Sequence, residues 1–346
     1  MRVLVVKTSS LGDVIHTLPA LTDAVAARPE LRFDWVVEEG FAEIPAWHPA
    51  VDRVIPVALR RWRGHLLDSA TRREWKAFRR LLGQRDYAAV IDAQGLLKSA
   101  FLTRLVPPPR HGLDRHSARE PLAALAYDHP HPVPWGRHAV VRVRELFARA
   151  LDYPVPEGTA DYGIDRMRLG SYGMDGDYVV FLHGTTWATK HWPRRYWEEL
   201  ARHVTAAGLK VLLPWGNQAE RERAQAIAGV CENIQVLPRM DLAHLAGAFA
   251  GARAVVAVDT GLSHLVAALD IPQVVIYGAT DPKRTGSYGR GQHHLEADFD
   301  CAPCLQRRCR YGGTAQVFPA CYASVQPERV WKTLQELARI SRRGGG

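Results

Sequence analysis

Ala254-Val255-Val256-Ala257-Val258-Asp259-Thr260-Gly261-Leu262-Ser263-His264-Leu265-Val266-Ala267-Ala268-Leu269 is the stretch whose reading decides the fold. Its first five residues are apolar and valine-rich, as in a strand covered on both faces of a parallel sheet. The chain turns at Asp-Thr-Gly and enters an apolar helix at once. Such a turn presents the backbone N–H groups of Gly261 and Leu262 at the positive end of a helix, where a phosphate is favoured. Thr260 and Ser263 add hydroxyls, and His264 falls on the first turn. An ordinary strand–helix unit with Asp259 as its N-cap fits this stretch equally well. The surrounding sequence has to decide.

Working outward, the same alternation recurs. Tyr178–Leu182, Lys210–Leu213, Ile234–Leu237 and Gln273–Tyr277 read as further strands, with helices near 194–207, 218–229, 241–251 and 261–269. Upstream, Arg2–Val6, Trp35–Val37, Val54–Val57 and Ala89–Ile91 read as strands. A helix follows Asp13 to about Ala27, and others cover 71–82 and 137–151. Residues 105–136, rich in Pro and His, read as irregular. Tyr153-Pro-Val-Pro-Glu-Gly158 has the texture of a linker. The expectation is α/β: two doubly wound parallel-sheet domains, 1–155 and 156–326, then a helix from Pro327 to Ile340 and a tail ending in disordered Gly344–Gly346. Such domains are expected to face each other across a ligand-binding cleft.

The 346 residues suffice for two cores, and apolar runs of five to seven residues fall far short of the ~20 that span a bilayer. The N-terminus lacks a signal-peptide pattern, so a cytoplasmic protein is expected. Net charge is +9, of which +7 lies in residues 1–150 and +2 in the remainder. An anionic partner therefore suits the first half. A nucleic-acid-binding protein using the basic 60–85 segment, with Trp62 and Trp75 for stacking, is one reading of that charge.

The loops after the strands carry the chemistry. His183-Gly-Thr-Thr-Trp-Ala-Thr-Lys-His-Trp-Pro193 offers the hydroxyls of Thr185 and Thr186 and the ammonium of Lys190 to a diphosphate, beside Asp259–His264. Neither a G-x-x-x-x-G-K-[ST] loop nor a well-formed G-x-G-x-x-G is present, which argues against a P-loop ATPase and a dinucleotide oxidoreductase. In the first half, Lys7-Thr-Ser-Ser-Leu-Gly-Asp13 places a carboxylate at a helix start. That carboxylate is either a cap or a general base for an acceptor hydroxyl.

Met1–Leu21, Phe33-Asp-Trp-Val-Val-Glu-Glu-Gly-Phe-Ala42, Arg60-Arg-Trp-Arg63, Val90-Ile-Asp-Ala-Gln-Gly-Leu-Leu-Lys-Ser99, Lys190-His-Trp-Pro193, Leu213-Pro-Trp-Gly216 and Val258–His264 together resemble the lipopolysaccharide heptosyltransferases, type I among them. The resemblance implies a GT-B glycosyltransferase moving L-glycero-D-manno-heptose from ADP-heptose to the first 3-deoxy-D-manno-octulosonic acid (Kdo) of Kdo-lipid A. It implies inversion, no catalytic metal or cofactor, and work at the inner membrane's cytoplasmic face, by a protein expected to be monomeric. Addition of a later core heptose is the alternative. By resemblance Asp13 is the base and Lys190 steadies the leaving diphosphate. Thr185, Thr186, Glu220 (on the loop after Leu213–Gly216) and Met240 then lie on the donor side, Met240 equally readable as a core methionine. Arg60, Arg61 and Arg63 lie on the acceptor side, with Lys7, Ser10, Lys98, Arg119 and His138 as further candidates.

Five cysteines remain. Cys231 reads as a buried structural thiol. Cys301-x2-Cys304-x4-Cys309-x11-Cys321 has ligand spacing for structural zinc, with free loop thiols as the simpler reading.

Overall fold

The computed structural model describes residues 1–65, 67–107, 109–170 and 177–340; the expected tail at Gly344–Gly346 lies outside them. The chain divides into two compact units, Met1–Ile164 and a second beginning at Asp165.

The first unit holds strands β1 (Arg2–Val6), β2 (Arg32–Glu38), β3 (Val51–Val57), β4 (Ala89–Asp92), β5 (Arg110–Leu113) and β6 (His129–His131), in the spatial order β3-β2-β1-β4-β5-β6. The second holds β7 (Tyr178–Leu182), β8 (Lys210–Leu213), β9 (Ile234–Val236), β10 (Ala254–Val258), β11 (Gln273–Tyr277) and β12 (Gln292–Glu296), in the order β12-β11-β10-β7-β8-β9. Every neighbouring pair is parallel. Read from each unit's own first strand, both orders are 3-2-1-4-5-6, the Rossmann topology. The direction in which strands are added across the sheet reverses between β1 and β4, and between β7 and β10. Loops after these four strands diverge and leave room for a ligand.

The valine-rich strands are central because they tolerate cover on both faces: β7, β10 and β11 are buried throughout. Asp34, wholly buried in β2, is neutralised by Arg53 at 3.0 Å and Arg85 at 2.9 Å and accepts a hydrogen bond from the Tyr87 hydroxyl at 2.8 Å.

Several expectations need correction. Residues 105–136 are not wholly irregular; they supply β5, a 3-10 turn at Pro121–Ala126, and β6. Strands this short, at the sheet edge (β6) and next to it (β5), lack the valine run that marks their neighbours. β12, Gln-His-His-Leu-Glu at the edge of the other sheet, is a further strand without a valine run. The helix after Asp13 is two helices, Leu11–Ile15 and Leu18–Ala27, because Pro19 starts a new first turn after Thr17. The Pro/Gly-rich stretch after Tyr153 stays with the first unit: Arg144 makes a two-pronged pair with Asp23 (2.5 and 3.0 Å) and donates to the Gly158 carbonyl at 3.0 Å. The last helix, Pro327–Ala338, places Val330 and Leu334 in the second unit's core. Cys231 is half-buried, packed on the edge of that core.

Candidate active site

In the first unit, the switch point lies between the loops after β1 and β4. Thr8 donates from its backbone N–H and its hydroxyl to Gln94 Oε1, both at 2.8 Å. Gln94 Nε2 returns a bond to the Ser9 carbonyl at 3.0 Å. Gln94 is itself set by Asp92, whose buried carboxylate accepts from the N–H groups of Gln94 (2.8 Å) and Gly95 (3.2 Å) and from the Tyr127 hydroxyl (2.8 Å). Burial pushes the Asp92 carboxyl above the usual carboxylate range. This lock between loops carries no catalytic signature in sequence. Its signals are that Asp92 ends a strand that must neighbour β1 and that Gln94 follows it within the Val90–Ser99 stretch of the family resemblance.

Beyond the lock, Ser10 is the N-cap of Leu11–Ile15 and Asp13 its third residue. Asp13 Oδ2 accepts from both Ser10 N and Ser10 Oγ at 2.8 Å, a capping-box geometry. Asp13 is therefore a cap, as one sequence reading held, and its half-buried carboxylate is at the same time fixed at the mouth of the switch point. Lys7 is buried below it, its Nζ donating to the Ala93 carbonyl at 2.8 Å. Burial lowers the Lys7 ammonium pKa, Asp13 and Asp92 oppose that, and Arg142 and Arg119 reinforce it. His138 caps Ala139–Leu151 through Nδ1 and meets His16 edge-on with centroids 5.5 Å apart.

The acceptor-side candidates separate. Arg60, Arg63 and Lys98 line one cavity of about 660 Å³ with Trp62, Trp75 and Phe101. Lys98 Nζ donates to Ser9 Oγ at 2.8 Å, which ties the cavity to the Asp13 loop. Arg61 is engaged elsewhere, pairing with Glu39 at 3.0 Å and Glu74 at 2.9 Å on an exposed surface. Trp62 is buried, and Trp62, Trp75 and Phe78 pack on one another at 5.6–6.1 Å, so Trp62 is no stacking platform for bases.

In the second unit, the loops after β7 and β10 meet through Lys190, whose Nζ lies 2.6 Å from Asp259 Oδ2 and 4.6 Å from the centre of the Trp187 ring. Thr185 Oγ1 donates to the Asp259 carbonyl at 3.0 Å, and Thr280 Oγ1 donates to Asp259 Oδ2 at 2.5 Å. Asp259 is thus not the helix cap expected of it. Its carboxylate is taken by Lys190 and Thr280, which pull it away from the helix. Thr260 occupies the N-cap of Gly261–Ala268 and makes no side-chain cap bond. Ser263 turns its hydroxyl back to the Thr260 carbonyl at 2.7 Å, so it is not presented as a donor to a ligand. His264 is buried. What faces the switch point is Lys190 together with the helix start at Gly261 and Leu262. Thr186 is exposed on the same loop.

Glu220 is on a helix, Gln218–Ala228, rather than a loop; Asn217 Oδ1 caps it by accepting from Glu220 N at 3.0 Å. Glu220 Oε2 accepts from Gly216 N at 2.8 Å, and its carboxyl fills the space where a side chain on Gly184 would stand, at 2.6–2.7 Å. Glu220 therefore lies against the loop after β7. Met240 is half-buried on the loop after β9 and outside the core. Two neighbours missed in sequence are Arg223, which makes a very short contact with His191 Nδ1, and the buried His183 at the end of β7. Burial and the nearby Arg223 lower His183 to about 4.

With this geometry in hand, comparison with known proteins is specific. The model of glycosyltransferase family 9 (heptosyltransferase) matches residues 75–315. The chain belongs to glycosyltransferase family 9. Lipopolysaccharide heptosyltransferase 1 of Pseudomonas aeruginosa PAO1 is 58% identical, the alignment covering 97% of this chain and 98% of that protein. A lipopolysaccharide heptosyltransferase 2, from Escherichia coli K12, is 24% identical over 97% of this chain and 98% of its own. The solved structure of E. coli heptosyltransferase WaaC with ADP-2-deoxy-2-fluoro heptose superposes with a TM-score of 0.84 and 46% identity, covering 97% of this chain and 99% of that one. The family 9 chain is a glycosyltransferase with the GT-B pair of Rossmann-like units. Among the described residues, no helix is long and apolar enough to cross a membrane.

Proposed function

We propose that this family 9 glycosyltransferase transfers L-glycero-D-manno-heptose from ADP-heptose to the first Kdo of Kdo-lipid A, with inversion at the anomeric carbon. The observation that carries the reading is the 58% identity to a heptosyltransferase 1 over nearly the whole chain, set against 24% to a heptosyltransferase 2. A later core heptose as the product is correspondingly disfavoured.

The roles follow from the chemistry each half offers. Lys190 and the N–H groups at Gly261 and Leu262 neutralise the diphosphate as the glycosidic bond breaks and charge moves onto ADP. When ADP-heptose binds, Lys190 exchanges part of its pairing with Asp259 for phosphate, while Thr280 continues to hold that carboxylate. Glu220 and Met240 serve the ribose and adenine end. In the first unit, Asp13 takes the proton of the attacking Kdo hydroxyl. Ser10, bonded twice to one carboxylate oxygen, keeps that group oriented. Arg60, Arg63 and Lys98 attract the carboxylates and phosphates of the acceptor, with Lys7, Arg119 and His138 on the Asp13 side. Arg61 steadies the cavity wall through Glu39 and Glu74. No metal enters these steps, the enzyme works as a monomer, and its basic first unit meets the anionic inner-membrane surface in the cytoplasm.

The test is direct. Incubated with ADP-heptose and a Kdo-lipid A acceptor, the protein should release ADP and add one heptose mass to the acceptor, with the linkage inverted. Transfer only to an acceptor that already carries a first heptose would overturn the assignment.

A further inference from the structure

Cys301, Cys304, Cys309 and Cys321 have no part in the reaction above, yet they sit on an unusual piece of chain. From the end of β12 at Glu296 to the 3-10 turn Ala320–Ser324 there is neither helix nor strand. Irregular runs of that length are uncommon in compact domains, and core packing seldom fixes them. Core packing hardly contributes here, since Val317 and Pro319 are the buried side chains of residues 297–319, while Leu305, Tyr311 and Phe318 are exposed.

Despite that, the segment is stitched to the loops of the donor half-site. Thr189 Oγ1 donates to the Gln306 carbonyl at 2.5 Å, and Leu305 N donates to the Ala279 carbonyl at 2.8 Å. Tyr322 Oη donates to the Thr189 carbonyl at 3.0 Å. The Arg307 guanidinium lies over the Trp187 ring at 5.6 Å, the same ring that bears the Lys190 ammonium. Something that fixes 301–321 therefore fixes the loop holding Lys190.

The cysteines are placed to supply it. Their C-x2-C-x4-C-x11-C spacing starts with a pair that reaches adjacent corners of a tetrahedron. None of the four is in a disulfide. Cys321 packs on the second unit's core, and the sulfurs of Cys301, Cys309 and Cys304 all lie within electrostatic reach of its own. Arg307, Arg308 and Arg310, between the second and fourth cysteines, offset the negative charge that four thiolates would gather. No three of the sulfurs yet stand within 4.8 Å of one another, whereas a tetrahedral thiolate site spaces them about 3.8 Å apart. Cation binding must therefore draw them together, which a segment so little held by core packing permits.

We propose that Cys301, Cys304, Cys309 and Cys321 bind one thiophilic d-block cation, zinc or iron(II), in a four-sulfur site that clamps residues 297–319 against the loop bearing Trp187, Thr189 and Lys190. Each thiol releases its proton to solvent as its sulfur–metal bond forms, so a divalent ion leaves a site of net charge −2 and no electron moves. The metal assignment stands alone; its effect on nucleotide binding rests on reading the Lys190 loop as the ADP half-site.

Elemental analysis of the full chain, purified without chelator, should find about one equivalent of zinc or iron. A near-ultraviolet thiolate-to-iron(II) absorption marks iron, and its absence with zinc present marks zinc. A thiol-specific mercurial should release the ion in step with four modified sulfurs. C301S/C304S should lose the metal, become cleavable by protease within 297–319, and bind ADP about ten-fold more weakly, an ordinary coupling between sites. By reciprocity ADP should tighten the metal by the same factor. The metal result distinguishes the two readings: metal retained by sulfur with ADP not bound at all would overturn the nucleotide half-site and leave the clamp standing. Four thiols that titrate freely in a metal-free protein, a disulfide among them, or metal that persists in C301S/C304S at the Glu199, His203 and Glu328 cluster would overturn the clamp.

Discussion

At the scale of single residues, the two candidate half-sites are built on different logic. Asp13 is a helix cap whose geometry also suits a base, so replacement by Asn should retain the helix and remove the proton acceptor. D13N is expected to lower kcat by about 10²–10⁴-fold with ADP affinity unchanged, read by steady-state kinetics and calorimetry. Unimpaired turnover would remove Asp13 from the reaction. Lys190 differs, because it is already paired. K190A leaves Asp259, itself largely buried, with Thr280 as its described side-chain partner, and should weaken ADP binding by roughly ten-fold or more. K190R should restore part of that loss, which distinguishes a need for charge from a need for bulk. The neighbouring Asp259 illustrates where sequence reading stops. Its place before a helix says N-cap, but two groups from other loops, Lys190 after β7 and Thr280 after β11, claim its carboxylate first.

At the scale of elements, two glycines test how the loops are fitted together. A Cβ on Gly184 would stand 2.6–2.7 Å from the Glu220 carboxyl. G184A should therefore push Glu220 off Gly216 N and weaken ADP binding several-fold, with melting temperature little changed, because the displaced group is the end of a flexible side chain. On Gly112 in β5, a Cβ would meet the Tyr127 ring at 2.3–2.5 Å. That ring is held on one side by the sheet and on the other by its bond to Asp92, so it has little room to yield. G112A is expected to cost about 1–3 kcal/mol of stability in denaturant unfolding and to loosen the Asp92–Gln94 lock. Long elements were legible from sequence for a physical reason. Valine runs such as Ala254–Val258 and Tyr178–Leu182 have one use in an α/β unit, and their bounds agree with the strands to the residue. Short edge strands such as His129–His131 have no such signature, because half their surface faces solvent and tolerates any residue.

At the scale of the whole molecule, each unit carries a buried, neutral histidine whose protonation opposes folding. His48 in the first unit and His183 in the second are lowered from 6.5 to about 4, mainly by burial. His48 Nδ1 accepts from Ala50 N at 3.1 Å and its Nε2 lies 3.0 Å from Thr22 Oγ1, an arrangement that a proton on Nδ1 would break. Between about pH 6.5 and 4 the unfolded chain binds more protons than the folded one, so stability rises with pH across that window and is lost as the solution is acidified through it. Each group contributes on the order of 3 kcal/mol by full titration. Urea unfolding at pH 7.5 and pH 5 should show the loss, and H48Q should reduce its pH dependence; a flat profile would contradict the buried neutral state.

The sequence by itself determined the class of fold, the order of the loops and the family, because parallel-sheet strands, helix starts and the Lys190–Pro193 and Asp259–His264 motifs are local patterns. It also singled out Asp13, Lys190 and the helix start at Gly261, on the segments that follow β1, β7 and β10. Tertiary structure decided which partners those residues keep. It gave Asp259 to Lys190 and Thr280, separated Arg61 from Arg60 and Arg63, locked the Asp13 loop with Asp92 and Gln94, and tied four distant cysteines to the loop that holds Lys190. Those outcomes depend on strand order. The switch points bring β1 beside β4 and β7 beside β10, strands separated by more than eighty residues in the first unit and more than seventy in the second. A side chain's choice among competing charges is set by the neighbours such crossings supply, and no local pattern encodes it.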